Sequence, residues 1–123
     1  YYEWTSIGGS KAPHLIHRPD MTMVGLAGLY SWWTNPSTGE MLATATILTR
    51  DSAGILQKIH DRMPIALEPE DYDRWLDTSS ATGAELIHEV SQKAARAADL
   101  WDHYEVSTLR GDGPHLVERK VGS

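Results

Sequence analysis

The sequence predicts an α+β fold: a single domain with a curved, barrel-like, mostly antiparallel sheet flanked by helices. Three observations predict it. Strand-forming β-branched and aromatic stretches crowd residues 1 to 64. Apolar residues at helical spacing dominate from residue 69 onward. At 123 residues, 41% apolar and 23% charged, the chain has the length and composition of one globular domain with its own core.

The elements follow in order. Tyr1 to Thr5 reads as an aromatic strand that ends at the turn Gly8-Gly9-Ser10, and Pro13 to Arg18 is its returning partner. Met21 to Trp33 is extended, and its Gly25 and Gly28 suit bulges in a curved sheet. Asn35-Pro36-Ser37-Thr38-Gly39 is a turn, and the threonines and isoleucine of Met41 to Thr49 form the next strand. A helix is expected from Asp51 or Ser52, both capping residue types, to Arg62. Its stripe of Ile55, Leu56, Ile59 and Met63 faces a core, His60 lies at the stripe's edge, and Pro64 ends it. Ile65 to Leu67 is a short strand. Glu68-Pro69-Glu70-Asp71 then opens a helix with proline at its first position and acids in its first turn, anchored by Tyr72, Trp75 and Leu76. After Thr78-Ser79-Ser80, the stretch from Gly83 to His103 is one long helix or two with a break. Val106 to Leu109 and His115 to Val117 are expected as closing strands around the turn at Gly111 to Pro114.

Composition excludes several functions. With no cysteine, these residues supply no disulfide, thiolate metal site or thiol nucleophile. No run approaches the roughly 18 apolar residues of a membrane span, and no targeting segment is visible, so a soluble, cytoplasmic chain is expected. Tyr1-Tyr2-Glu3-Trp4 reads as a strand already under way, which suggests the later part of a longer domain. The net charge of -6 argues against a generally basic nucleic-acid binder, but the excess is confined to residues 65 to 123. Residues 1 to 64 balance five basic against five acidic side chains, so a phosphate-facing surface belongs there. A monomer is expected, because no exposed apolar stripe calls for a partner helix.

Glu3 and His60 are the residue types of a general acid/base pair, provided the fold brings them together. From spacing alone the plainer reading is the better one: a solvated strand charge and a hydrogen-bonded helix end. Trp4 either packs in a core or stacks on a nucleobase at the mouth of a site. Asp61 and Arg62 form a surface pair, or Arg62 contacts a phosphate. His14 and His17 have an odd separation that sends them to opposite strand faces, so no metal is expected, and no cofactor. Arg110-Gly111-Asp112 is a turn.

Taken together, Tyr2-Glu3-Trp4, Ile16-His17-Arg18, Ala27-Gly28-Leu29-Tyr30 with Trp32-Trp33, Thr44 to Thr49, Ile59-His60-Asp61-Arg62-Met63-Pro64 and Trp75-Leu76 resemble the SRAP family, the "SOS response-associated peptidase" domains. The resemblance runs to Gly113-Pro114-His115-Leu116-Val117-Glu118. It implies a domain that binds single-stranded DNA and links covalently to abasic sites in the DNA-damage response. There an N-terminal cysteine forms a Schiff base and then a thiazolidine. By resemblance Glu3 and His60 are catalytic, Arg62 meets the DNA backbone and Trp4 a base. Residues 1 to 123 would be the C-terminal portion of one such domain, without the cysteine. The family's Val-Asn-Asn type segment is also missing, because Val106-Ser107-Thr108 runs directly into Leu109-Arg110-Gly111. Two alternatives remain: a thiol autopeptidase that trims its own N-terminus, and a DNA-binding module that does not crosslink.

Overall fold

The computed structural model describes residues 1 to 79 and 83 to 122. The predicted turn residue Ser80 lies outside that set. The class is α+β, and the described residues group into two compact units. The first comprises Tyr1–Val24, Asp51–Met63 and the described part of Ala95–Ser123; the second comprises Gly25–Arg50 and the described part of Pro64–Ala94. Registered strand pairs are antiparallel, and the pairing is distributed over one three-stranded and three two-stranded sheets.

The first unit is built on β1 (Tyr2–Ile7), β2 (Ser10–His17) and β9 (Asp102–Glu105), in the order β1-β2-β9. Gly8 and Gly9 both take positive φ, 57° and 80°, the two-residue turn that matches strand twist and that glycine adopts without strain. This turn sets the register Glu3↔His14 and Ser6↔Lys11. Leu15, Ile16, Leu56, Ile59, Met63, Ala98, Trp101 and Val106 form the buried apolar set of the unit.

The helix expected over residues 51 to 62 is replaced by something shorter. Asp51 ends β6 (Thr49–Asp51), a single 3-10 turn covers Gly54–Lys58, and Arg62 already begins β7 (Arg62–Pro64). The reason sits at Gly54, whose φ of +53° is left-handed, and where an added Cβ would collide with Asp99. The chain cannot run helically through that point. Leu56, Ile59 and Met63 are nevertheless buried, so the apolar pattern was real and its period was misassigned. His60 is presented by a loop whose neck is closed where Ser52 N donates to Asp61 O at 2.8 Å.

In the second unit, β3 (Gly25–Leu26) pairs with β8 (Ala66–Leu67), and β4 (Gly28–Thr34) pairs with β5 (Met41–Ile47). The long strand expected from Met21 is thus split: Met21 takes a φ of 57° and residues 21 to 24 stand outside any strand. Gly25 is required where it is, because Tyr72 Cε1 lies 2.7 Å from the position of any added Cβ while Tyr72 OH accepts the Gly25 N–H at 3.1 Å. A 3-10 turn at Pro69–Asp71, with proline at its first position as expected, leads into α1 (Tyr72–Leu76). Trp75 anchors that helix by donating its indole N–H to Gly28 O at 3.2 Å. Leu76, expected as an anchor, is exposed.

α2 (Gly83–Arg96) buries Leu86, Val90 and Ala94. Its Lys93 donates to both oxygens of the buried Asp71 at 2.9 Å. The helical run expected to reach His103 stops earlier, since a 3-10 turn at Ala98–Leu100 leads into β9. His103 to Glu105 are strand residues, and cross-strand pairing to β2 overrides the alanine-rich helical preference before them. The two closing strands are not formed as expected either. Val106 makes an isolated bridge to Arg119, and Pro114–Val117 is a 3-10 turn opened by proline. No helix among the described residues is long and apolar enough to cross a membrane.

Candidate functional site

Glu3 and His60, far apart in the chain, come together in the first unit. Glu3 Oε2 lies 4.0 Å from His60 Nδ1. The carboxylate is a quarter exposed and the imidazole 43% exposed, so both keep access to solvent and to a ligand. Glu3 is aimed by its own backbone neighbour: its Oε1 accepts the Trp4 N–H at 3.1 Å, leaving Oε2 toward the imidazole. β1 supplies Glu3 and the loop between β6 and β7 supplies His60, so two independently held elements fix the pair.

The His60 ring is crowded at one nitrogen. Nδ1 accepts the Arg62 N–H at 3.0 Å and also lies 3.1 Å from Asp61 Oδ1. The same Nδ1 lies 3.2 Å from Arg62 O, which it meets as a donor when protonated. In the charged ring, Nδ1–H has Asp61 and Glu3 as counter-charges within 4.0 Å. Nδ1 thus has a donor or an acceptor within reach in either tautomer.

A groove of about 420 Å³ opens over the pair, lined by Glu3, Trp4, Ser6, Lys11 and His60. Trp4 is 42% exposed on this groove, so its ring is only partly used in packing. Lys11 and Ser6, which face each other across the hairpin register, were not singled out from the sequence. The signal was available in the turn: once Gly8-Gly9 is read as a two-residue hairpin, Lys11 must share a strand face with Ser6 and Trp4.

Arg62 lies on β7, two residues beyond His60. It is not among the groove-lining residues, and its guanidinium pairs with Asp51 Oδ1 at 2.5 Å. The cause is the strand geometry of β6 and β7, which brings Asp51 opposite Arg62 where a helix would have separated them.

Histidines 14 and 17 point to opposite faces, as their separation required. His14 Nε2 meets Thr5 Oγ1 at 3.2 Å and its Nδ1 meets His103 Nδ1 at 3.2 Å. Desolvation and the neighbouring His103 hold His14 below the ordinary histidine range, opposed by Glu105. His17 donates Nδ1–H to Arg18 O at 2.7 Å and its ring packs on Tyr104. Among the described residues no group of three or more His, Asp or Glu side chains converges as a metal site.

A carboxylate, an imidazole and a partly exposed tryptophan thus line one groove on an α+β scaffold of antiparallel strand pairs. The chain belongs to the family described as SOS response associated peptidase (SRAP), whose match covers residues 1–111. It is 32% identical over 123 residues to the abasic site processing protein YoqW of Bacillus subtilis, an alignment covering 96% of this chain and 53% of that protein. It is 30% identical to the abasic site processing protein HMCES of Gallus gallus, over 99% of this chain and 42% of that protein. A crystal structure of a protein from Bacteroides thetaiotaomicron superimposes with a TM-score of 0.80 at 26% identity, covering 98% of this chain and 53% of the other. The chain thus spans about half the length of these relatives.

Proposed function

We propose that this chain is the C-terminal portion of one SRAP domain, which binds single-stranded DNA and crosslinks reversibly to abasic sites, shielding the lesion during the DNA-damage response. The observation that carries the reading is the approach of Glu3 to His60 at 4.0 Å in a groove that Trp4 also lines. The names of the relatives, abasic site processing proteins, supply the substrate class.

An abasic sugar opens to an aldehyde, and that aldehyde is the electrophile. In the proposed reaction the amine of an N-terminal cysteine, which lies outside these 123 residues, adds to C1′. Loss of water gives the imine, and the thiol then adds to the imine carbon and closes a thiazolidine. Glu3 orients the amine and accepts its proton, since Oε1 is held by Trp4 N–H and Oε2 is left to act. His60 serves the ring oxygen of the sugar, giving a proton as the ring opens and recovering it on reversal. Trp4 stacks on a base flanking the lesion.

Phosphate contacts are assigned to Lys11 within the groove and to Arg62 outside it. Because Arg62 is paired with Asp51, a phosphate must compete with that carboxylate. The Asp51→Asn variant should therefore bind single-stranded DNA more tightly, and unchanged or weaker binding removes Arg62 from the interface.

The test of the whole reading is adduct formation. A chain extended to an N-terminal cysteine should give a heat-stable adduct with an abasic single-stranded oligonucleotide and none with an intact one. Its absence would sink the reading. For these 123 residues alone, the lack of any cysteine favours salt-sensitive, non-covalent binding.

A further inference from the structure

The odd separation that parts His14 from His17 does not part it from every imidazole. β2 and β9 pair with His14 opposite Glu105 and Ile16 opposite His103, so His14 and His103 are diagonal neighbours on one face of the sheet. Their Nδ1 atoms stand 3.2 Å apart, with ring centroids 5.2 Å apart and ring planes at 61°. Both residues are half-buried, and neither is among those lining the groove that holds Glu3 and His60.

The hydrogen bonds around the pair fix its tautomer. Thr5 has one hydroxyl proton, which it donates to Ala12 O at 3.5 Å, so its oxygen accepts from His14 Nε2–H at 3.2 Å. His14 Nδ1 is therefore a bare lone pair, met by the Nδ1–H of His103. An imidazole that donates one N–H to an oxygen and presents its other nitrogen as a lone pair is a metal ligand with its outer support already in place. The spacing agrees. A cation held by both Nδ1 atoms at about 2.0–2.1 Å, with those atoms left 3.2 Å apart, makes an N–metal–N angle of roughly 100°, near the tetrahedral value. Glu105, opposite His14 in the register and paired with Lys120 at 2.6 Å, adds negative charge on the same side of the sheet. Among the described residues no group of three or more His, Asp or Glu side chains converges, so water completes the coordination.

We propose that His14 and His103 form a two-imidazole chelate for a late first-row divalent cation, zinc or copper, which ties β9 to β2. His103 admits the cation by carrying its ring proton on Nε2 instead of Nδ1, and Thr5 keeps His14 in the ligating tautomer. Imidazole suits zinc and copper, whereas magnesium prefers carboxylate and water oxygens. The site stands independently of the abasic-site chemistry.

The 123-residue chain has no cysteine, so calorimetric titration with zinc chloride reads histidine and carboxylate ligands without thiolate competition. One equivalent of zinc should bind, copper should bind more tightly, and magnesium should not bind. His14→Gln and His103→Gln should each weaken zinc at least about tenfold, and Thr5→Val, which keeps both ligands, about tenfold, the scale on which outer-shell partners act. His88→Gln, at an exposed position of α2, should leave zinc affinity unchanged. Zinc should also raise the melting temperature of the parent and not that of His103→Gln, and the same scans show that each variant folds. The absence of a saturable zinc site, or a site whose affinity survives both His14→Gln and His103→Gln, overturns the proposal.

Discussion

The β1–β2–β9 sheet and the β4–β5 hairpin are both antiparallel, and both are rich in aromatic and β-branched residues. In the first, Leu15 and Ile16 are buried and the sheet supports a site. In the second, every large apolar side chain faces outward. Strand-forming composition alone does not distinguish them. What differs is whether the chain supplies a covering layer: Leu56, Met63 and Trp101 are buried with Ile16 in the first unit, while α1 reaches only the Gly28 end of the hairpin. A strand pattern reports a capacity to pack, and the packing partner is a separate fact.

The largest test of this contrast is chemical. Glu3→Ala or His60→Ala in a cysteine-bearing form should lower the rate of adduct formation or reversal by about 10²–10⁴-fold, the range for a positioned acid or base, with little change in melting temperature. Rates within a few-fold of the parent would return both residues to ordinary surface roles.

Next in size are the core substitutions. Ile16→Ala or Met63→Ala should cost about 2–5 kcal/mol in chemical denaturation, whereas Trp32→Ala in the 123-residue chain should stay within about 0.5 kcal/mol. Equal costs at the two places would erase the distinction between the sheets. Lys93→Ala belongs with the core group, because it leaves the buried Asp71 without its ammonium partner.

A smaller effect is expected from pH. His14 is held below its ordinary value of 6.5, so the folded state binds a proton there less readily than the unfolded chain does. The stability it contributes is complete above that value and is lost as pH falls from there toward the depressed folded value. The groups around it are Thr5, His103 and Glu105, the last paired with Lys120. Melting temperature should fall on acidification below pH 6.5 and fall less in His14→Gln. The smallest effect is at Lys11→Gln, which should reduce the salt slope of single-stranded DNA binding by about 1 or slightly less.

Much of this was legible in the sequence. The Gly8-Gly9 turn, the split between a strand-rich beginning and a helical later part, the proline-led turn at Pro69 and the pairing of Glu3 with His60 were all readable from residue types and family resemblance. The element delivering His60 was misread, because Ile55, Leu56, Ile59 and Met63 fit helical spacing while one glycine, Gly54, sat in a left-handed conformation that spacing does not report. The pairing of Arg62 with Asp51 was not readable for the same reason, since the two become neighbours through strand pairing. Lys11 was missed because its position follows from register, and register is a property of two strands.

The order in which the site forms follows from its topology. β1 and β2 are joined by two glycines, and a hairpin of that kind closes in microseconds. The same sheet is completed only when β9, the last strand among the described residues, adds to β2, a contact of long sequence separation and correspondingly slow formation. His60 hangs from a loop between two other strands and meets Glu3 across a wide interval of chain. A growing chain therefore holds Glu3 in its hairpin before His60 is placed beside it.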